Sequence, residues 1–313
     1  MKRAGILVIG GVYVDINVPQ FPLGEDGLHL ETEIVGQGYQ LEPGGSAVNF
    51  ARICGALGLP TTFIGKVGDD VLGSVLTQLL AEVGIGSTLV VSKDVSTNVS
   101  FNMVNPADKS IMAVVGTANQ SLTADEVYAR AFAQLATSAY LFLGGCLKLK
   151  KLLPAFVRLV GDAKAAGVKV VLDHARVPHE ATEDEQEIVR QLALLSDVYL
   201  PSADEFRELW GVPSIEEGLW RLSKQSSGVT IVKNGAEGVV TMINGRLTAI
   251  PAFSVNPIHT IGAGDSFNAG FMAAQRKGEN VVESIRFGCA TAALKISQKQ
   301  APTYEEVVGF MAR

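Results

Sequence analysis

The most constraining feature of this chain is an alternation of short apolar runs with longer segments of helical spacing. "AGILVIGG" (Ala4 to Gly11) ends in glycines and reads as a buried strand. "SAVNFARICGALG" after Gly45 has helical spacing, and "TTFIGKVG" reads as a strand running into a turn. "DDVLGSVLTQLLAEVGI" follows as an amphipathic helix with acidic residues in its first turn. Further apolar runs are "SAYLFLGG", "VKVVLDHA", "SDVYLPS" and "VTIVKNG", separated by helical stretches such as "LLPAFVRLVGDAKAAG" and "EDEQEIVRQLALL". Short apolar strands alternating with helices imply an α/β fold, a central mainly parallel sheet with helices on both faces.

Two stretches break this rhythm. "VYVDINVPQFP" and "HLETEIVGQGYQLEP" lie between the first strand and the first helix, where a βα turn needs only a few residues. "TNVSFNMVNPADKSIMAVVGTANQ" reads as a hairpin turning at Asn105-Pro106-Ala107-Asp108, with strands apolar or neutral on both faces. Together these pieces, about 12–43 and 97–119, form a small β-sheet inserted in a single domain of residues 1–313. Such a sheet is expected to be a lid over a pocket, a dimer clasp, or both.

Composition removes several functional classes. The 313 residues carry a net charge of −6, which leaves no extended basic footprint for nucleic acid. A small anion stays possible, because backbone amides bind phosphate without net positive charge. The 3 cysteines, Cys54, Cys146 and Cys289, are scattered and form no C-x-x-C pair, which suits free buried thiols in a reducing compartment. Lys2 and Arg3 precede an apolar run, but Gly10, Gly11 and Asp15 interrupt it and no small-residue cleavage site follows. No stretch has the length of a membrane span, so a soluble, cytoplasmic protein without membrane partners is expected. His29, His174, His179 and His259 lack metal-ligand spacing, and surface or cap roles are expected for most of them.

The chemistry concentrates in "HTIGAGDSFNAGF" (His259 to Phe271). The small residues Gly262, Ala263 and Gly264 let the backbone approach a ligand, and amides at a helix start point towards it. Such a nest suits an anion, or negative charge that develops during a reaction. Asp265 is well placed to accept a proton from a neutral group beside the nest; equally, it suits an ordinary helix-start charge satisfying the macrodipole. Asp15, within the apolar "VYVDINV", either binds hydroxyls or ends a strand facing water. Gly44 and Gly45 precede a helix with Asn49 one turn in, giving either close backbone approach with an amide aimed at a ligand or a tight turn with an exposed Asn. No G-x-x-x-x-G-K-[ST] loop, complete dinucleotide fingerprint or G-x-S-x-G elbow occurs.

Taken in order, "GGVYVD", "PGGSAVNFA", "FIGKVGDDVLG", the stretch Pro201 to Glu205, "VKNGAEG" and "GAGDSFNAGF" resemble the ribokinase-like (PfkB) carbohydrate kinases almost end to end. The resemblance implies an α/β domain with a β lid and transfer of the ATP γ-phosphate to a substrate hydroxyl. Asp265 would then be the base, and the amides of Gly262, Ala263 and Gly264 the anion hole. Asp15, Gly44, Gly45 and Asn49 fall on sugar-binding positions, with Tyr13 and Gly144 at positions where ribokinase proper carries other residues. Glu205 falls on the glutamate that helps hold Mg²⁺. Ser202 stands where the family's N-x-x-E stretch has Asn. Lys233, Gly235 and Gly238 lie in the stretch that approaches the nucleotide, and Cys289 lies in the helix lining the adenine pocket. ATP, Mg²⁺ and a sugar are the implied ligands, and a homodimer through the lid is the implied assembly. The family usually has Asp at the position of His259, where its carboxylate helps hold a monovalent cation, and Gln300 replaces a glycine of the other cation loop. K⁺ dependence is therefore not carried over. Ser46 and Gly144 also depart from ribokinase, which weakens ribose as the specific sugar. A nucleoside kinase of the same fold is the alternative, with Gly144, Asn98, Ser100 and Asn102 leaving room for a base; a non-catalytic sugar-binding regulator is the third reading.

Overall fold

The computed structural model describes residues 3–18, 38–104, 110–298 and 300–312. The chain opens with β1 (Gly5–Gly10), β2 (Tyr13–Val18) and β3 (Gln40–Gly44), then α1 (Ser46–Ala56), β4 (Thr61–Gly68) and α2 (Val71–Glu82). It continues through β5 (Gly86–Ser92), β6 (Val99–Val104), β7 (Ser110–Val115), α3 (Ala118–Ser121), α4 (Ala124–Thr137) and β8 (Ser138–Gly144). Next come α5 (Phe156–Ala165), β9 (Lys169–Asp173), α6 (Glu183–Leu195), β10 (Val198–Tyr199), α7 (Ala203–Trp210) and α8 (Ile215–Ser223). The last elements are β11 (Val229–Lys233), β12 (Val239–Ile243), β13 (Arg246–Ile250), α9 (Ala263–Lys277), α10 (Val281–Ser297) and α11 (Tyr304–Met311).

Nine strands form one sheet in the order β13-β12-β11-β10-β9-β8-β1-β4-β5. The run from β11 to β5 is parallel, and β12 and β13 add an antiparallel edge. Strand β1 shows why the sheet is covered on both sides. Ile6 and Val8 enter one core cluster, with side chains of α1, α9 and α10, while Leu7 and Ile9 enter the other, with side chains of α4 to α8. A strand whose alternate residues are all buried needs helices on each face, and the alternation of the sequence supplies them. Parallel strands also point their carboxyl ends to one edge, where ligands of open α/β sheets bind.

The smaller sheet has the order β3-β2-β6-β7. Its β6–β7 pair is the expected hairpin, antiparallel from Val99↔Val115 to Val104↔Ser110, although its expected turn at 105–108 lies outside the described residues. The segment 19–37, with His29, lies outside them too. One detail differs from the helix expected at 69–85. Asp70 is the N-cap of α2, not a first-turn charge, and accepts from Gly73 N at 2.7 Å while also binding Thr97 N and Oγ1. Its carboxylate thus ties the helix start to the strand entering the smaller sheet. Among the described residues no helix is long and apolar enough to cross a membrane.

Candidate active site

The carboxyl ends of β9, β10 and β11 deliver Asp173, Ser202 and Lys233 to a cavity of about 830 Å³. The start of α9 closes the same cavity with Gly262, Ala263, Gly264 and Asp265, and α1 contributes Ser46. Gly262 is the N-cap of α9 at φ 77, a left-handed conformation that glycine adopts without strain. The Ala263 amide turns back to Thr260 O at 3.3 Å, whereas the amides of Gly262 and Gly264 meet no protein acceptor among the described residues. Two amides without a protein partner at the positive end of a fifteen-residue helix are suited to an anion.

Asp265 stands in the first turn of α9, and Asn49 of α1 donates Nδ2 to its Oδ2 at 3.1 Å. Burial, reinforced by the charge of Asp173 and offset by Lys233 and Asn49, pushes the carboxyl up to about 7. A carboxylate poised near neutrality is suited to general-base work.

Beneath the nest lies a cluster that local sequence reading missed. Lys233 Nζ binds Asp173 Oδ2 at 2.8 Å and Asn268 Oδ1 at 3.3 Å, and Asn268 Nδ2 binds Asp173 Oδ2 at 2.5 Å. A Cβ placed on Gly264 would stand 3.4 Å from Lys233 Nζ, so the ammonium lies against the first turn of α9. Burial alone would lower the Lys233 ammonium, but Asp173 and Glu205 outweigh it and hold the group above its usual value. Likewise burial would raise Asp173, and Lys233 pulls it down. Two signals pointed here: Asp173 ends an apolar strand on the ligand-binding edge, and Asn268 is one turn after Asp265.

The other Asp173 oxygen accepts from Ala175 N at 3.0 Å, and Ala175 is a non-glycine residue at φ 57. For an alanine that conformation costs about 1–2 kcal/mol, so the surrounding structure holds the turn against its preference. His174 falls outside the surface or cap roles expected for most of the histidines. It is buried, not on the surface, with Nδ1 3.2 Å from the Tyr199 hydroxyl, and burial pushes its imidazole down. It lies between strand ends that are covered on both faces, which its lack of metal spacing could not reveal.

Ser202 and Glu205 are both at the cavity and form the capping box of α7, with Ser202 N donating to Glu205 Oε2 at 2.8 Å. Glu205 Oε1 has no hydrogen-bond donor among the described residues. Gly235, Gly238 and Cys289 also line the cavity, and Cys289 is a free buried thiol beside Ala292 and Ile296.

Asp15, Tyr13, Gly44, Gly45 and Asn49 lie outside this cavity's wall, at the joint between the two sheets. Asp15 pairs with Glu42 across β2–β3 and with Ser100 across β2–β6. Gly44 packs so tightly on it that a Cβ would overlap the Asp15 carboxyl group. Burial first, then the negative charge of Glu42, pushes Asp15 up to about 7 against the pull of Arg52 and Ser100. Polar side chains continue over the same face: Ser100 Oγ donates to Asn102 Oδ1, Asn102 Nδ2 to Asn17 Oδ1, and Asn17 Nδ2 to Glu42 Oε2. Asn98 instead accepts from Asn119 N at 2.8 Å, and burial raises the phenol of Tyr13. Gly45 caps α1, its carbonyl accepting from Asn49 N at 2.9 Å. Gly144 ends β8, where a Cβ would meet Ala47 Cβ at 2.9 Å, so its small size serves the contact with α1. His259 faces Lys295 across 3.4 Å, Nε2 to Nζ, and burial and that ammonium push the imidazole down.

A model of the "pfkB family carbohydrate kinase" matches residues 5–306. A ribokinase of Haemophilus influenzae is 30% identical over 99% of each chain. A 5-dehydro-2-deoxygluconokinase of Lacticaseibacillus casei is 26% identical over 100% of this chain and 97% of that protein. Among solved structures, Arabidopsis thaliana ribokinase complexed with ribose and ATP has a TM-score of 0.78 at 22% identity, covering 99% of each chain. A putative ribokinase II of E. coli in complex with ATP and Mg²⁺ has a TM-score of 0.85 at 20% identity, again over 99% of each chain.

Proposed function

This chain belongs to the pfkB family of carbohydrate kinases, and from that premise we propose an ATP-dependent sugar kinase acting on a primary hydroxyl of a pentose, ketohexose or related sugar. The observation that carries the reading is the placement of Asp265 beside the open amides of α9, in a cavity large enough for a nucleotide. Asp265 takes the hydroxyl proton as the oxygen attacks. The amides of Gly262 and Gly264, with Ala263 holding the turn, stabilise charge on the phosphoryl group in flight. Lys233, against Gly264, favours the ionised form of Asp265 between turnovers. Val239, Phe253, Cys289 and Ile296 give the cavity an apolar lining for adenine, and Gly235 and Gly238 belong to the same wall.

Mg²⁺ bound to ATP neutralises phosphate charge and needs only one or two protein carboxylates. The residues fit that demand. Both oxygens of Asp173 are used by protein donors, while Glu205 keeps Oε1 open. Among the described residues no group of three or more His, Cys, Asp or Glu could cage a metal by itself.

Asp15, Asn49 and the polar face of the smaller sheet supply hydroxyl-binding groups, with Gly44 and Gly45 allowing close approach. We read the sheet as a lid over the sugar. Its opposite face exposes Leu41, Phe101 and Val115 at 37%, 38% and 53%, a surface suited to a second copy of the chain. Sedimentation equilibrium at assay concentration reads that assembly. The polar face favours a polyol over a nucleoside, since Tyr13 is its one aromatic among the described residues. The test is ADP release over a panel of ribose, fructose, 5-dehydro-2-deoxygluconate and nucleosides. Turnover with a free sugar or sugar acid is expected; turnover with nucleosides alone overturns the reading.

A further inference from the structure

Among the described residues the cavity has one cation whose charge no acidic group consumes. Lys233 and Arg176 both line it, but Lys233 is taken by Asp173 at 2.8 Å and by Asn268. Arg176 has no carboxylate within 4.0 Å and no hydrogen-bond acceptor among the described residues, and its side chain is exposed. Its position is not that of a casual surface residue. It directly follows Ala175, whose left-handed backbone lets its amide cap Asp173 while the chain turns into the cavity wall. Strained turns at ligand sites persist because the rest of the structure holds them there.

The charge balance of the polar end points the same way. Glu205 and Asp265 are acidic, Asp173 and Lys233 cancel, and the nucleotide brings further negative charge. A guanidinium suits this place, since its planar fork meets phosphate oxygens in pairs and stays charged at any working pH. Asp173 holds Lys233, and Lys233 lies against Gly264 at the start of α9, so the neighbouring Arg176 belongs with the phosphates and not with adenine.

We infer that Arg176 grips the terminal phosphate of the bound nucleotide, held in place by the Asp173–Ala175 turn. The inference rests on the kinase reading for the identity of the ligand. Its test reads binding, so the two can fail separately. Calorimetry with the Mg²⁺ complexes of a non-hydrolysable ATP analogue and of ADP is run on wild type, Arg176→Ala and Arg176→Lys, with Arg158→Ala as a surface control.

Arg176→Ala is expected to weaken the triphosphate analogue by about 10–100-fold, the range of a charge-assisted hydrogen-bonding pair, and ADP by much less. Arg176→Lys is expected to fall between Ala and wild type, and added guanidinium to restore part of the Ala variant's affinity. Arg158→Ala is expected to match wild type. Unchanged analogue binding in Arg176→Ala, or an equal loss for ADP, overturns the inference. If wild type binds both nucleotides yet phosphorylates no sugar, the proposed function fails while Arg176 is still measured.

Discussion

Asp265 and Asp15 are both pushed up to about 7, yet they stand on different architecture. Asp265 is fixed by the first turn of α9 and by Asn49, with Asp173 raising it and Lys233 opposing. Asp15 lies on β2 of the smaller sheet, with Glu42 raising it and Arg52 opposing. In each case burial comes first and an acid–base pair tunes the result. Similar tuning therefore serves two proposed jobs: a base at the start of a helix beside the larger sheet, and a hydroxyl-binding group on the smaller sheet.

The largest effect expected from this contrast is on the base. Asp265→Asn should lower kcat by at least ~10²-fold, the scale of general-base catalysis, with sugar binding largely kept. Kinetics together with equilibrium sugar binding check it, and full kcat in the variant would break the assignment. The same variant also reports a stability cost. The folded pKa is raised, so the folded state holds its proton more tightly than the unfolded one. The stabilisation present below the unfolded value near 4 is lost as pH rises through about 7. Asp265→Asn should therefore be more stable at pH 8 by about 1 kcal/mol, allowing for partial exposure, or roughly 2–4 °C in Tm. The gain should shrink as the buffer is taken towards pH 5.

Asp15 should behave otherwise. Asp15→Asn is expected to raise the sugar KM by about 10–100-fold, the worth of hydrogen bonds to a charged group, while changing kcat less. Gly44→Ala should act in the same direction, because its methyl displaces the Asp15 carboxyl group. The pH profile sharpens the comparison. Two carboxylates that must be ionised in the free enzyme give kcat/KM an acid limb steeper than one unit per pH unit below about 7. Asp15→Asn should reduce that limb to a slope of one. A limb of unit slope in wild type would mean that only one of the two matters.

The two sites also differed in how far the sequence revealed them. The nest could be read from one short segment, because Gly262, Ala263, Gly264 and Asp265 are consecutive and the helix start places them. The mainly parallel sheet, though not its strand order, followed from alternation, and Asp173 lay within a recognised strand. Its partnership with Lys233 and Asn268 did not follow, because three elements meet only through packing. Asp15 beside Glu42 and Ser100 depends on strand register, which two polar-faced strands separated by a long segment do not fix locally. His174 was missed for a related reason. Its burial comes from what covers the strand end, not from its neighbours in sequence.

The smallest expected effect concerns monovalent cations, and it follows from another pairing across elements. His259 begins the segment that leads into α9, and thirty-six positions later Lys295 places Nζ 3.4 Å from its Nε2. Lys295 is only 7% exposed, and burial and the charge of Arg52 push its ammonium down. The acid near both, Glu42, already accepts from Asn17. A cation arriving beside His259 would meet an ammonium, where unlike charge is needed; at ~4 Å two such charges repel by about 4 kcal/mol at an effective dielectric near 20. Activity should therefore be the same, within assay error, in K⁺, Na⁺ or a bulky organic cation. The double variant His259→Asp with Lys295→Ala supplies a carboxylate and removes the ammonium, so it should gain a K⁺ response that wild type lacks. Several-fold stimulation of wild type by K⁺ would show that the lysine does not exclude the ion.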